Sequence, residues 1–267
     1  MIKDDHVIAV PNLSADSRRV NVREVLDLSY DPDHGRTVFT LGGRIPDVER
    51  ACLDLAAWAT RHLDLRTHSG VHPRLGVVDV IPLVPYGEGE AELAVRELAD
   101  ELAETIDNGF GVPVYRYERA DPQARSLPEL RRFLRTTPHR SHPTAGVVCL
   151  GIRDPLVAFN VNFRGDLGDA RRVAREARSE HVRALGFELA SRRQVQVSMN
   201  LIAPGRAGPK AAFDRVLSLA RHRQLELVDC EVVGLVPHPI LGELAGLPLR
   251  SPVRSIEQAM AARGLST

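Results

Sequence analysis

Cysteine is scarce in this sequence, and the three residues it has are far apart. Cys52, Cys149 and Cys230 each sit in an apolar run, with no Cys-x-x-Cys pair and no disulfide ladder. They read as small buried hydrophobes in a reduced compartment, so a cytoplasmic setting is expected. An excess of either charge is also missing. Lys+Arg and Asp+Glu both number 35, for a formal net charge of +0, which removes any global pull toward nucleic acid or a membrane. Arginine pairs such as Arg131-Arg132 and Arg171-Arg172 lie in helical patterns with acids nearby and read as solvated faces. No apolar run reaches the ~20 residues that span a bilayer. The opening Met-Ile-Lys-Asp-Asp-His is too acidic and polar for a signal peptide.

What is present fits a globular α/β protein. Hydrophobic residues make up 43% of the 267 and charged residues 26%, enough for one large domain or two of roughly 100–150 residues without staples. Short β-branched or apolar runs at residues 7–10, 22–28, 37–41, 77–84 and 112–117 predict strands. Apolar spacing predicts helices over 47–65, with Asp47 able to cap, and over 90–106, where Asn108-Gly109 suits a left-handed cap. Residues 121–142 are Arg-rich and broken by prolines, with one short helix near 128–134. His139 and His142 in this stretch are expected to face solvent. A subdomain connection is expected near residues 151–155. The second half repeats the alternation: strand 156–163, helix 167–185, strand 194–202, helix 210–223, strand 225–236. Both β-α-β-β-α-β and β-α-β-α-β orders fit. The expected architecture is α/β, two packed subdomains (1–152 and 153–267), each a mixed sheet covered by helices, with a cleft between them.

The densest chemistry is His68-Ser69-Gly70-Val71-His72-Pro73-Arg74-Leu75-Gly76-Val77-Val78-Asp79, between a helix and a buried strand, where α/β proteins commonly place ligand groups. Pro73 biases His72 toward an extended backbone and stiffens its mounting. His72 is therefore a candidate general acid/base. His68 and His72 at i, i+4 could instead bind a metal, but Gly70 and Pro73 disfavour the helix which that spacing needs, and the acid of an H-E-x-x-H motif is absent. No metal is expected.

The run from Gly70 to Pro82 resembles the G-x-H-P-R-x-G-x-x-D-x-x-P signature of glutamate formiminotransferases. Further landmarks follow in order. Val10-Pro11-Asn12-Leu13-Ser14 is similar to V-P-N-F-S, Arg36-Thr37-Val38-Phe39-Thr40 to R-T-V-Y-T, and Val112-Pro113-Val114-Tyr115 to V-P-V-Y. Ala158-Phe159-Asn160-Val161-Asn162 resembles A-F-N-I-N, Gln196-Val197-Ser198-Met199-Asn200-Leu201 resembles Q-V-S-x-N-L, and Val233-Gly234-Leu235-Val236-Pro237 resembles V-G-L-V-P. The series spans nearly the whole chain.

The resemblance implies a transferase, usually dimeric, that carries a formimino group between tetrahydrofolate, as co-substrate, and glutamate. His72 stands at the family's catalytic histidine. Both substrates carry carboxylates, for which Arg36, Arg74 and Arg164 are candidates. Asp79, Asn162 and Asn200 could meet the amide and amino edge of a pterin, although such asparagines often satisfy backbone groups locally. His34 could contact substrate, tune His72, or serve only as a turn residue. A related enzyme acting on another amidine, formyl or pterin-like substrate, and a folate-binding module without turnover, are the alternatives.

Overall fold

The computed structural model describes residues 6–9, 12–13, 24–86 and 91–265. Val10, Pro11 and Ser14 of the opening motif, Val22 at the start of the second expected strand, and Glu90 at the expected helix start lie outside these. The chain divides into two compact units. One comprises Met1–Asp31, Gly35–Arg153 and Arg263–Thr267; the other comprises Pro32–His34 and Asp154–Ala262.

The first unit holds a seven-stranded mixed sheet. Its strands are β1 (His6–Ala9), β2 (Asn12–Leu13), β3 (Val25–Asp31), β4 (Arg36–Arg44), β5 (Val78–Tyr86), β6 (Val114–Glu118) and β7 (Val148–Ile152). β1 and β2 both pair with β4 and with β5, antiparallel throughout, and β3 pairs with β4 at the same end of the sheet. β7 runs parallel to both β5 and β6. All five residues of β7 are buried, and a strand with parallel neighbours on both sides reads as a continuous apolar run for that reason. β7 ends at Ile152, and the first unit's stretch ends at Arg153, within residues 151–155 where a subdomain connection was expected.

Two helices pack on the sheet through aliphatic stripes. α1 (Ile45–His62) buries Val48, Ala51, Cys52, Leu55, Ala56 and Ala59. It starts two residues before Asp47, because Pro46 is tolerated in a first helical turn where its missing N–H is not needed. Asp47 is thus not the cap; it pairs with Arg44 and Arg50 instead. α2 (Ala91–Glu104) runs into a π turn at Thr105–Gly109. The left-handed residue that closes it is Gly111, φ 69°, rather than Asn108 or Gly109. Leu55, Leu83, Leu98, Leu102 and Leu150 belong to one core cluster.

A smaller cluster seats α3 (Leu127–Thr136): Leu130 and Leu134 pack with Val80, Tyr117, Val147 and Cys149. The helix opens with Pro128 in its first turn, and the Ser126 N–H donates to the Glu129 carboxylate at 2.8 Å.

The second unit is a four-stranded antiparallel sheet in the order β11-β8-β10-β9. Its elements run β8 (Val157–Arg164), α4 (Leu167–Ala177), β9 (Val182–Leu189), β10 (Gln194–Leu201), α5 (Pro209–Ala220) and β11 (Glu226–Val233). Of the two orders left open, this is β-α-β-β-α-β, and unlike the first unit its sheet is antiparallel rather than mixed. The helix expected to run to Leu185 ends at Ala177, and β9 begins at Val182 within the expected span. Phe159, Val161, Phe163, Val195, Val197 and Met199 form the core with Val173, Phe213 and Val216. By strand alternation, Asn160, Asn162, Gln196 and Ser198 then share the opposite face.

All three cysteines are free and buried. Burial pushes every one of these thiols up, Cys149 and Cys230 to about 12, so they stay protonated and act as small core residues.

Candidate active site

In the first unit, the segment between α1 and β5 carries His72. The loop closes tightly on the chain before β7. The Val77 N–H donates to Ala145 O at 2.9 Å, and the Val147 N–H donates to Leu75 O at 3.0 Å. Backbone contact this close leaves no room for a side chain. A Cβ on Gly76 would fall 2.0 Å from Val147 O. One on Gly146, whose φ is 71°, would fall 2.2 Å from Leu75 O.

The side chains around the loop bind it to three other elements. His72 is half-buried, and its Nδ1 lies 2.9 Å from Pro73 O. A carbonyl oxygen only accepts, so Nδ1 carries a proton, and in the neutral ring the basic lone pair is on Nε2. Pro73 O also accepts from Arg36 Nη2, at 3.3 Å. Arg36, at the start of β4, donates the same nitrogen to Asp79 Oδ2, and Arg131 from α3 donates to that oxygen too. The other oxygen, Oδ1, accepts the Leu75 N–H at 2.7 Å. Asp79 is 1% exposed, Arg36 11% and Arg131 13%. Arg74 turns back on the loop and donates to Gly70 O at 2.7 Å and His72 O at 2.9 Å. Among the described residues, no carboxylate forms an ion pair with Arg74.

Two guanidiniums on one carboxylate, with a third beside them, leave the region cationic. Burial is the main cause that pushes Arg36 below its ordinary value. Asp79 pulls the other way, while Arg131 and Arg74 add to the drop. Burial and then Arg74 likewise lower His68, which favours the neutral form of that ring. Of the residues singled out in the sequence, the structure thus brings together His72, Arg36, Arg74 and Asp79. It adds Arg131, whose pairing with Arg132 had suggested a solvated face. The signal for it was present: Leu127, Leu130, Arg131 and Leu134 follow the i, i+3, i+4, i+7 stripe of a buried helix face. His139 is exposed as expected, but His142 is half-buried, with Nδ1 accepting the Ala145 N–H at 2.9 Å.

A second polar assembly lies wholly in the other unit, on the sheet face away from its helices. Gln196 Nε2 donates to Asn162 Oδ1 at 2.9 Å and to Glu231 Oε1 at 2.8 Å. Asn162 Nδ2 donates to Asp229 Oδ1 at 2.6 Å, and Asn160 Nδ2 to Glu231 Oε1 at 3.2 Å. Arg250 closes the set on Asp229 Oδ2 at 2.9 Å. His34 Nε2 meets Gln196 Oε1 at 2.9 Å, so here the proton is on Nε2, and its ring stands edge-on to Phe187 with centroids 5.1 Å apart. Asn162 and Gln196 are fully buried, and each amide nitrogen and oxygen named has a partner, as burial requires. Asn200 is exposed on β10. Arg164 is exposed too, 3.7 Å from Glu226, a surface pair of little energetic weight. Asp229, Glu231 and Arg250 were not singled out in the sequence, and Gln196 only as part of a motif; alternation marks Gln196 as facing away from the core, which ordinarily means water.

Comparison with known proteins adds to this geometry. A family model described as "Formiminotransferase domain, N-terminal subdomain" matches residues 4–153, and one described as "Formiminotransferase domain" matches residues 157–250. A glutamate formimidoyltransferase of Streptococcus pyogenes serotype M1 is 31% identical over 259 residues, covering 88% of this chain and 86% of that protein. One from Thermoplasma acidophilum is 32% identical over 279 residues, covering 90% of each. The formimidoyltransferase-cyclodeaminase of Sus scrofa is 31% identical over 241 residues, which span 80% of this chain but 44% of that protein.

Proposed function

The chain belongs to the formiminotransferase family, and from that premise we propose that it moves a formimino group between N5 of tetrahydrofolate and L-glutamate, with the His72 imidazole handling the proton. The observation that carries the proton role is the hydrogen bond from His72 Nδ1 to Pro73 O at 2.9 Å. In the neutral ring it leaves the lone pair on Nε2, the form that a base needs.

Attack of N5 on the formimino carbon forms a C–N bond and a tetrahedral centre. The N5 proton passes to His72 Nε2. The bond from that carbon to the glutamate nitrogen then breaks, and the same proton moves from Nε2 to the departing amine, so the imidazole ends as it began. Acid/base help of this kind contributes roughly 10²–10⁴-fold. The cationic surroundings suit substrates that bring several carboxylates. Arg74 is the guanidinium we assign to one of these, since Asp79 already engages Arg36 and Arg131. A cytoplasmic homodimer serving histidine breakdown is the setting this reading implies.

The test is direct. Purified protein, tetrahydrofolate and formiminoglutamate are mixed, and formation of the formimino-folate and free glutamate is followed. Stoichiometric appearance of both is expected. Tight tetrahydrofolate binding with neither product would make the chain a binding module.

A further inference from the structure

Arg131 reaches the imidazole only through other groups. Its Nη2 donates to Asp79 Oδ2, which also holds Arg36 Nη2. Arg36 Nη2 donates on to Pro73 O, and Pro73 O accepts the Nδ1–H of His72. Four hydrogen bonds therefore run from α3 to the ring. Asp79 Oδ1 grips the same loop at a second point, the Leu75 N–H.

Folding alone does not explain two guanidiniums here. One cation neutralises one carboxylate, and a second is a surplus buried charge that loses hydration and repels the first. The repulsion registers on Arg36, whose drop below its ordinary value includes a contribution from Arg131. What the second guanidinium adds is geometry. Arg36 on Oδ2 and the Leu75 N–H on Oδ1 set the carboxylate's orientation, and the second donor on Oδ2 narrows its remaining motion.

We propose that Arg131 is a positioning residue for His72: it locks Asp79, Asp79 locks Arg36, and Arg36 locks the Pro73 carbonyl that orients the imidazole. The inference rests on the proton role given to His72 above. Without Arg131 the chain of contacts survives but loosens, and a base displaced by about 1 Å can lose on the order of a hundredfold in rate.

Arg131→Met and Arg131→Lys test this, with kcat and KM measured for transfer from formiminoglutamate. Both variants keep the Asp79–Arg36 pair, so a matched buried charge remains. In the Met variant kcat is expected to fall about tenfold to hundredfold while KM stays within about threefold, the mark of a misplaced base rather than a lost binding contact. Lysine restores the charge but not the planar fork, so its kcat should fall between the other two, about threefold to tenfold below wild type. A Met variant whose kcat stays within about threefold of wild type, or whose loss appears in KM alone, overturns the proposal. If the Met variant fails to fold, the Lys variant decides: a kcat indistinguishable from wild type overturns it. Wild-type protein that transfers nothing sinks the proposed reaction and this role with it, whereas active wild type with unaffected variants sinks the role alone.

Discussion

Replacing His72 with alanine is expected to lower kcat for formimino transfer by about 10²–10⁴-fold, with a much smaller change in KM. Alanine removes the proposed proton acceptor and the bond from Nδ1 to Pro73 O within the loop, and the loop keeps other support. The support comes from elsewhere: the Leu75 N–H on Asp79, the Arg74 bonds to Gly70 O and His72 O, and the backbone pairing of Leu75 and Val77 with the chain before β7. The fold should therefore persist, and the loss should sit in the chemical step. Steady-state kinetics beside a thermal unfolding curve check both halves. A variant that transfers at more than about a tenth of the wild-type rate would assign the proton to another group.

Asp79→Ala is expected to lower stability as well, by about 3–5 kcal/mol. The carboxylate is 1% exposed and is the partner of two guanidiniums that are themselves 11% and 13% exposed. Alanine leaves both cations buried without a counter-charge and strips the Leu75 N–H of its acceptor, and orphaned buried groups of this kind bear their full desolvation cost. The extent contrasts with Arg131→Met, which leaves a matched pair. Equilibrium urea unfolding of the two variants compares them: the Asp79 variant should lose several times more. Equal losses would mean that Asp79 is not the hub of the cluster.

How far the sequence could be read depended on what each residue type reports. Period-2 and period-3.6 patterns located most strands and both long helices of the first unit, because their apolar residues face one common core. The pattern failed where two structures share a composition. The stretch from Val182 to Leu185 contains Ala and Leu, which extend a helical pattern, and only pairing with β10 makes it a strand. β7 was passed over because an Arg- and Pro-rich stretch before it and Asp154-Pro155 after it mark a linker, although five buried residues in a row are what a strand between parallel neighbours requires.

The site divided in the same way. His72, Arg36, Arg74 and Asp79 were visible because they crowd around one loop or abut a short motif. Arg131 was not, because charge normally means solvent, and its place on a buried stripe becomes informative only once Asp79 is known to face it. In the second unit, Gln196 and Asn162 form an internally satisfied network with Asp229 and Glu231. Pairings separated by 34 to 67 residues in the chain leave no local trace.

The account turns on which ring nitrogen of one histidine holds the hydrogen. A long-range ¹H–¹⁵N correlation spectrum of histidine-labelled protein, with the His72 signals identified by their absence in His72→Ala, reads this directly. Neutral imidazole with the hydrogen on Nδ1 and an unprotonated Nε2 is the predicted result. The opposite tautomer, with Nε2 carrying the hydrogen in the substrate-free protein, would contradict it, because the nitrogen assigned to receive the N5 proton would already be occupied.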